Sequence, residues 1–489
     1  MQRVAVIGAG PAGCYFAWDV AGRRPDLTVD LFERNAVRPG AGLAIEDKVV
    51  SEFPVAFEGL HPSMRRWNRI LVSADRHRIW SGGHDIVGVS RRALADHLLR
   101  LAADRPNVNV RCLELTGPPD GYDLVVASDG PNSRIRSCGD FGTRATEGQT
   151  VYAWLSSPVE LPAMFALIPL SGGVLTVHAY PHAPDESTLV AEGDAQVLAE
   201  NGLLGTPRSK AERRLAGLLH DDLGDAAVRA HTFPWRPFTT ITNQRWRSGN
   251  LVLLGDAART VHFSVGCGTA LALADARHLA DAVASDRLGT YEQTRRPVVE
   301  RAQSDAAASM HWFEQLSHRS DLGTHQLVFA LRTRRDVNSF ASLRKRDPDF
   351  VASVMREMAG RFAAELEPVD VPLRVGSTDL PRRLVDVAEC GGGLRIANRD
   401  LLGAVVDEEV AELDHVKHAA DFIAVREQPA EGRVLRTELA AKVRGRSKLP
   451  VMLLCGSEAS LDEVNTLIAA GRIDFAAHIP ATTPEGSTP

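Results

Sequence analysis

The residues of this chain best placed for chemistry are glycines and carboxylates at the ends of apolar runs. Gly8-Ala9-Gly10-Pro11-Ala12-Gly13 follows a short β-rich run, residues 3–7, and opens a helical pattern from about Pro11 to Gly22. In a turn of this spacing Gly8 permits the reversal and Gly10 lets the backbone approach a pyrophosphate. Gly13, one residue after Ala12, allows close packing of helix on strand. The helix start then offers unpaired N–H groups and the positive end of its dipole to phosphates. Glu33 ends a second β-rich run, residues 27–33, about 20 residues beyond Gly13. A carboxylate there suits the hydroxyls of an adenosine ribose, and Arg34 follows it. Glycine turns are common, but a strand before, a helix after and an acid at this distance together indicate a dinucleotide site.

Two more carboxylates stand after buried runs. Residues 122–127 lead into Ser128-Asp129-Gly130 and then the basic stretch Ser133-Arg134-Ile-Arg136. Alone, this is equally a strand-ending turn with solvated charges. Residues 250–254 lead into Gly255-Asp256-Ala-Ala-Arg259 and on through His262-Phe263-Ser264 to Gly266, Gly268 and Thr269. Asp256 could accept hydrogen bonds from a polyol chain. Free N–H groups from Gly266 to Thr269 could face a ring carbonyl that becomes anionic. By itself this segment is also a helix start with Asp256 as a turn former.

Strand, glycine turn, helix and strand within about 30 residues make a βαβ opening. Leu94, Leu98 and Leu101 mark a helix over 90–103. From about 146 to 240 the pattern turns to alternation, as in 174–180 and 187–191, which predicts antiparallel strands in a second layer. Helical patterns return over 268–284, 290–345 and 346–370, and Pro372 and Pro381 mark a boundary. With 489 residues, two or three domains are expected. Apolar residues at 44% and charged residues at 24% describe a globular chain, not a disordered or fibrous one. A net charge of −6 gives no basic surplus for nucleic acid. No apolar run is long enough to span a membrane, and the glycine-broken N-terminus does not read as a signal peptide. The six cysteines are scattered without a CxxC pair, so neither a disulfide frame nor a zinc site is indicated. They read as small buried apolar side chains in a reducing cytoplasm.

Together and in this order, the three motifs resemble the single-component FAD-dependent aromatic hydroxylases. The resemblance implies that the first turn holds the FAD pyrophosphate and Glu33 the ribose. It places Asp129-Gly130 near the pyrophosphate with a part in FAD and NAD(P)H binding, and Gly255-Asp256 at the ribityl chain. Arg91-x-x-Leu94-x-x-x-Leu98 is similar to the family's helix whose arginine approaches the pyrophosphate. Many members carry Ala-His after Gly-Asp-Ala and later a Pro-Pro pair, where this chain has Arg259 and His262-Phe263. His262-Phe263-Ser264-x-Gly-x-Gly-Thr269 resembles a subgroup: salicylyl-CoA 5-hydroxylases, 2-aminobenzoyl-CoA monooxygenase/reductases and the violacein-pathway tryptophan hydroxylase. Ser81-Gly-Gly-His84 with Gly88-x-x-Arg91, Trp235-Arg-Pro-Phe-Thr239 with Arg245-Trp246, and Leu343-Arg-x-Arg-Asp347-Pro-x-Phe350 are similar to the same subgroup. The CoA hydroxylases tend to have a lysine where this chain has Ala270.

The implied fold is α/β: a Rossmann-like FAD domain interleaved with an antiparallel substrate sheet. FAD binding is expected mainly in 1–50, 85–145 and 240–345, and the substrate sheet in 51–84 and 146–239, within a hydroxylase part of 1–370. Residues 372–380, 449–452 and 469–474 look like pieces of an old-yellow-enzyme barrel. A (β/α)8 barrel takes about 250 residues, so 371–480 is expected to be a shrunken, degenerate appendage without a second flavin. Glycines 391–393 read as loop, 407–412 as solvated helix and 481–489 as a disordered tail. The implied activity is ring hydroxylation with NADH or NADPH and O2 through a flavin C4a-hydroperoxide. The substrate is expected to be an aromatic acid held as a thioester on CoA or a carrier protein. His262 is the candidate base for a phenol or aniline proton. An indole or tryptophan-derived substrate, a flavoprotein reductase without productive oxygen chemistry, and a nucleotide-holding scaffold stay open as alternatives.

Overall fold

The computed structural model describes residues 1–34, 41–74, 77–224, 228–230, 235–319, 322–335, 337–360, 365–386, 394–396, 399–401, 403–406, 420–426, 443, 448–455 and 459–478. The chain forms two compact units, Met1–Met310 and His311–Pro489.

The first unit is built on a six-stranded sheet. Its order is Arg247–Ser248, Leu251–Leu253, Leu124–Ala127, Arg3–Ile7, Thr28–Glu33 and Val108–Cys112. All neighbours are parallel except the short Arg247–Ser248 edge. The central strands are apolar almost without interruption because helices cover the sheet and both faces are dry; Val4, Val6, Val125 and Val126 are fully buried. Helix Pro11–Arg23 packs against helices Arg91–Ala103 and Gly268–Ala284. Parallel pairing brings the carboxyl ends of Arg3–Ile7, Leu124–Ala127 and Leu251–Leu253 to one edge of the sheet. The three motif loops therefore leave from that edge, where open α/β sheets bind ligands.

The second layer of this unit is an eight-stranded, mainly antiparallel sheet. Its order is Arg229–Ala230, Thr143–Ser157, Glu186–Asp194, Gly173–Ala183, Met164–Leu170, Ile70–Ala74 and His77–Ser81, with Arg236–Asn243 also on Thr143–Ser157. The alternation read over 174–180 and 187–191 falls in two of its central strands. One face carries Leu71, Leu155, Met164, Ala179 and Leu189 into an apolar cluster. Register puts different chemistry on the other face. Trp154 lies opposite Val190, which lies opposite His178, and Tyr152 lies opposite Glu192. A three-stranded sheet of Gly42–Glu46, Ile86–Ser90 and Arg65–Trp67 completes the unit.

In the second unit, five parallel strands run in the order Leu384–Asp386, Phe475–His478, Val451–Cys455, Phe422–Arg426 and Gly403–Val406. Alternate residues feed two clusters. Ile423, Val425, Val451 and Leu453 enter one, and Phe422, Ala424, Met452 and Leu454 the other, so these strands too are covered on both faces. Residues 372–380, expected as a piece of a barrel, form the antiparallel hairpin Leu373–Val375 with Thr378–Leu380. A β-turn between them costs less than crossing to a parallel neighbour, which needs a long connection. The boundary anticipated near 370 lies inside this unit, because polar groups on helix Leu461–Ala469 fasten the preceding segment. Phe340 N–H donates to Thr466 Oγ1 and Ala341 N–H to Asp462 Oδ1, each at 2.8 Å. Val369 N–H donates to Asn465 Oδ1 at 3.0 Å.

Segments 391–393, 407–412 and 481–489 lie outside the described residues, as does Cys390. Of the other cysteines, Cys14 and Cys455 are buried as expected, but Cys112 and Cys138 are exposed and Cys267 is half-buried. Cys112 ends the edge strand of the parallel sheet and Cys138 sits in a surface turn, where no neighbour covers a small side chain. Among the described residues, no helix is long and apolar enough to cross a membrane.

Candidate active site

The first glycine turn has the shape its sequence requires. Gly8 has φ +99°, and a Cβ there would lie 2.4 Å from the Ser128 carbonyl oxygen; a Cβ on Gly13 would lie 2.1 Å from the Gly8 carbonyl oxygen. Those two glycines serve strand-to-helix packing. At Gly10 a Cβ would meet nothing within 4 Å. The open space therefore lies directly over the start of helix Pro11–Arg23, whose first N–H groups have no side-chain cap. That is the geometry a pyrophosphate fills.

Several loops converge on one cleft of about 440 Å³. Gly10, Ala12, Arg91, Gly130, Asp256, Gly266, Gly268 and Thr269 all line it, as does His262. Ala12 and Gly255 also meet behind it: a Cβ on Gly255 would come within 2.9 Å of the Ala12 methyl. Gly8, Gly13, Glu33, Arg34, Asp129 and Gly255 are not on its wall. Glu33 accepts the Ala9 N–H at 2.9 Å and so holds the turn from the neighbouring strand. Asp129 Oδ2 accepts the Arg134 N–H at 3.0 Å, organising the loop after its strand. Arg34 is exposed and forms an ion pair with Glu114 at 3.8 Å.

Asp256 stands at the cleft with half its side chain, 49%, still reached by solvent. The protein packed around it pushes its carboxyl above the usual range, opposed by Arg259 and Arg91. Arg259 is buried, 3.7 Å from Asp256 and 2.8 Å from Asp275, whose other oxygen takes Arg295 Nε at 2.7 Å. Two arginines and two aspartates thus balance beneath the cleft floor. This explains how the chain accommodates an arginine where the resembled family carries histidine.

The other half of the cleft is aromatic. Tyr152 and Trp154, two residues apart on one strand and hence on one face, meet Phe263 with ring centroids at 5.0 and 6.1 Å. Phe238 packs on His262 at 4.9 Å, and Tyr180 completes the wall. Burial pushes the Tyr180 phenol well above its ordinary value. Arg91 lies over the Trp154 ring at 5.6 Å and Arg236 over Tyr152 at 5.7 Å. The motifs did not point to Tyr152, Trp154, Tyr180 or Arg236 as wall residues. For Tyr152 and Trp154 the signal was aromatic spacing of two in a strand pattern, which reads equally well as core, and Arg236 lay inside the Trp235–Thr239 motif without a role assigned to it.

His262 is 2% exposed at its place on the cleft wall. Its Nδ1 is 2.8 Å from Ser264 Oγ, which is 2.7 Å from Ser309 Oγ. Its Nε2 is 3.5 Å from Glu192 Oε1.

A glycine turn with open space over a helix start, facing an aromatic chamber, fits a dinucleotide cofactor held beside a flat ring. The comparisons agree. A family model described as FAD binding domain matches residues 122–306. A salicyloyl-CoA 5-hydroxylase of Streptomyces sp is 32% identical, with 97% of this chain and 99% of the relative covered. A 3-hydroxy-4-methyl-anthranilyl-[aryl-carrier protein] 5-monooxygenase of Streptosporangium sibiricum is 33% identical over 68% of this chain and 94% of its own. A protodeoxyviolaceinate monooxygenase of Chromobacterium violaceum is 28% identical over 68% of this chain and 95% of its own. Among solved structures, 2-methyl-3-hydroxypyridine-5-carboxylic acid oxygenase shares the fold at TM-score 0.52 and 18% identity, over 64% of this chain and 93% of that one. The chain belongs to the FAD-dependent aromatic hydroxylases. It is an FAD monooxygenase that uses NAD(P)H and O2 to hydroxylate an aromatic ring.

Proposed function

We propose that the ring is carried by an aromatic acid held as a thioester, salicylyl-like or 2-aminobenzoyl-like, on CoA or on a carrier protein. The observation that carries this reading is the aromatic half of the cleft, set against the glycine cradle in a chain matched end to end by a salicyloyl-CoA 5-hydroxylase. The relative acting on a carrier-bound anthranilyl group supports the carrier alternative.

The residues fit FAD. Gly10 leaves room at a helix start, Asp256 offers a reachable carboxylate to the ribityl hydroxyls, and Gly266 to Thr269 begin a helix without a side-chain cap. Arg91 lines the cleft as a cation for the pyrophosphate. Glu33, Arg34 and Asp129-Gly130 would act at the adenosine and pyrophosphate side, from loops beside the cradle. When bound, the flavin supplies the redox and oxygen chemistry. The protein's part is to hold the ring between Tyr152, Trp154, Phe238 and Phe263 and to keep bulk water away from it. His262 would take the phenol or aniline proton, which makes the ring a better nucleophile. Residues 371–480 form, in this reading, the degenerate remnant of a parallel barrel. Its first parallel strand, Leu384–Asp386, neighbours its last, Phe475–His478, as in a closed barrel, but five parallel strands are present among the described residues where a barrel has eight.

Mass spectrometry of products from aryl-CoAs, carrier-bound aryl groups and free indoles tests the reading. A hydroxylated thioester product with matching NAD(P)H consumption supports it. Turnover of indoles alone would favour the second reading, suggested by the protodeoxyviolaceinate monooxygenase likeness.

A further inference from the structure

Glu192 is a carboxylate in a place where a carboxylate is expensive. It is 2% exposed, on the cleft-facing side of the antiparallel sheet. Among the described residues, Thr150 Oγ1 donates to Oε1 at 2.7 Å and Oε2 accepts no hydrogen bond. Among the described residues no lysine or arginine pairs with it. What faces it instead is two imidazoles: His262 Nε2 at 3.5 Å from Oε1 and His178 Nε2 at 3.9 Å from Oε2. Tyr152 and Thr176 are its uncharged neighbours across the sheet.

An isolated carboxylate at this depth costs several kcal/mol in lost hydration, and a proton held within the cluster offsets that cost. One proton is enough for electrical balance, shared between the carboxylate and one imidazole. The other imidazole is then neutral and basic. Of the two, His262 is on the cleft wall, and His178 lies behind Phe263 with ring centroids 5.7 Å apart.

We propose that Glu192, His262 and His178 form a proton-sharing group beside the ring-binding half of the cleft, with Glu192 as the positioning residue that sets the basicity of His262. The proposal rests on the reading of the cleft as a ring-hydroxylation site. When a phenol or aniline enters, its O–H or N–H bond breaks, the proton goes to an imidazole nitrogen of His262, and the bonding pair stays on the substrate heteroatom. The cluster then carries one more positive charge beside a substrate carrying one more negative charge. At this short separation in a dry site, that compensation favours the anionic ring. Release of the product's proton to water restores the resting count. Two histidines around one carboxylate supply this extra capacity; a single pair would be filled by the resting proton.

The first test needs no substrate. Imidazole NMR of the FAD-loaded protein should show one of His178 and His262 sharing its proton with the Glu192 carboxylate. In Glu192→Gln that imidazole should titrate at least about one unit lower, a tenfold change in its proton affinity. The second test is the pH profile of kcat for ring hydroxylation. Glu192→Gln should shift the limb that reports His262 and lower kcat about tenfold or more, while the KM for NAD(P)H stays constant. Glu192→Asp should restore part of both effects. If Glu192→Gln does not accumulate as folded, FAD-containing protein, Thr150→Val removes the hydroxyl donor instead and should raise the imidazole titration, because the carboxylate becomes more basic. Identical imidazole titrations in wild type and variants would overturn the proposal, as would an unchanged kcat profile. A wild type that hydroxylates no aromatic compound would overturn the functional reading while leaving the imidazole result to stand or fall by itself.

Discussion

Individual residues in the cradle divide into those that shape the protein and those that leave room for a ligand. Gly10→Leu should place its side chain in the open space over the helix start. The variant should fold, keep the apo-protein's melting temperature and lose most of its flavin absorbance per chain. Gly13→Ala should do the opposite, because its methyl meets the Gly8 carbonyl oxygen at 2.1 Å. Overpacking of this kind costs about 1–3 kcal/mol, measurable as a lower denaturant midpoint. Asp256 adds a pH dependence. Its carboxyl is raised by its surroundings, so on acidification it takes up a proton earlier than an ordinary carboxylate. The protonated form is a poorer acceptor for ribityl hydroxyls. FAD affinity should therefore fall as pH drops through a range above that of a typical aspartate, and in Asp256→Asn this part of the dependence should vanish. Free-flavin fluorescence against pH checks both.

At the scale of elements, the parallel strands and the antiparallel strands do different work. The parallel sheet aligns loop starts, and the buried Arg259–Asp275–Arg295 set ties helix Gly268–Ala284 to the long helix Gly289–Glu314 and to the Asp256 loop. Asp275→Asn removes one carboxylate from between two buried guanidinium groups. Breaking such a pair typically costs about 3–5 kcal/mol. Urea unfolding should show a loss of that order, together with weaker FAD retention because Arg259 no longer has a fixed position under Asp256. A loss confined to stability, with FAD affinity unchanged, would show that Asp256 keeps its place without this support. The antiparallel strands supply the aromatic wall through period-two spacing. A change at Trp154 should therefore raise the KM for the aromatic substrate without emptying the flavin site.

For the whole molecule, two relatives are covered over about 95% of their own lengths by 68% of this chain. Nearly all of each of these two relatives is thus matched without the remaining third of this chain. Flavin extracted from the full chain should be FAD alone, at one per chain; a second equivalent as FMN would make the parallel-stranded unit a second active site. Truncation after residue 370 should produce an insoluble protein, because it strips Asp462, Asn465 and Thr466 from the segments they fasten. Truncation near 310, at the boundary between compact units, should be better tolerated. Solubility and FAD content of the two truncations decide this.

The cradle was legible in the sequence because its requirements are local. A tight turn, a close approach and a helix start each demand a residue type at a fixed offset, and Gly8, Gly10, Gly13 and Asp256 met those demands before any fold was known. The parallel strands were legible for a similar reason, since burial on both faces writes a continuous apolar run. The aromatic chamber was not legible. Tyr152 and Trp154 share one strand while Tyr180 and Phe238 lie on two others, and only register across a sheet assembled from distant segments puts them around one space. Glu192 was equally silent: a glutamate in an alternating strand reads as solvent-facing, and only tertiary packing places His262 and His178 beside it and leaves it buried. The place where the second unit begins was also a tertiary decision. Pro372 and Pro381 pointed to a boundary near 370, but hydrogen bonds to side chains of helix Leu461–Ala469, 121 and 126 residues later in the chain, draw the helix at Phe340–Arg346 into that unit. Sequence determines what each short segment is able to hold; long-range pairing determines which segments hold it together.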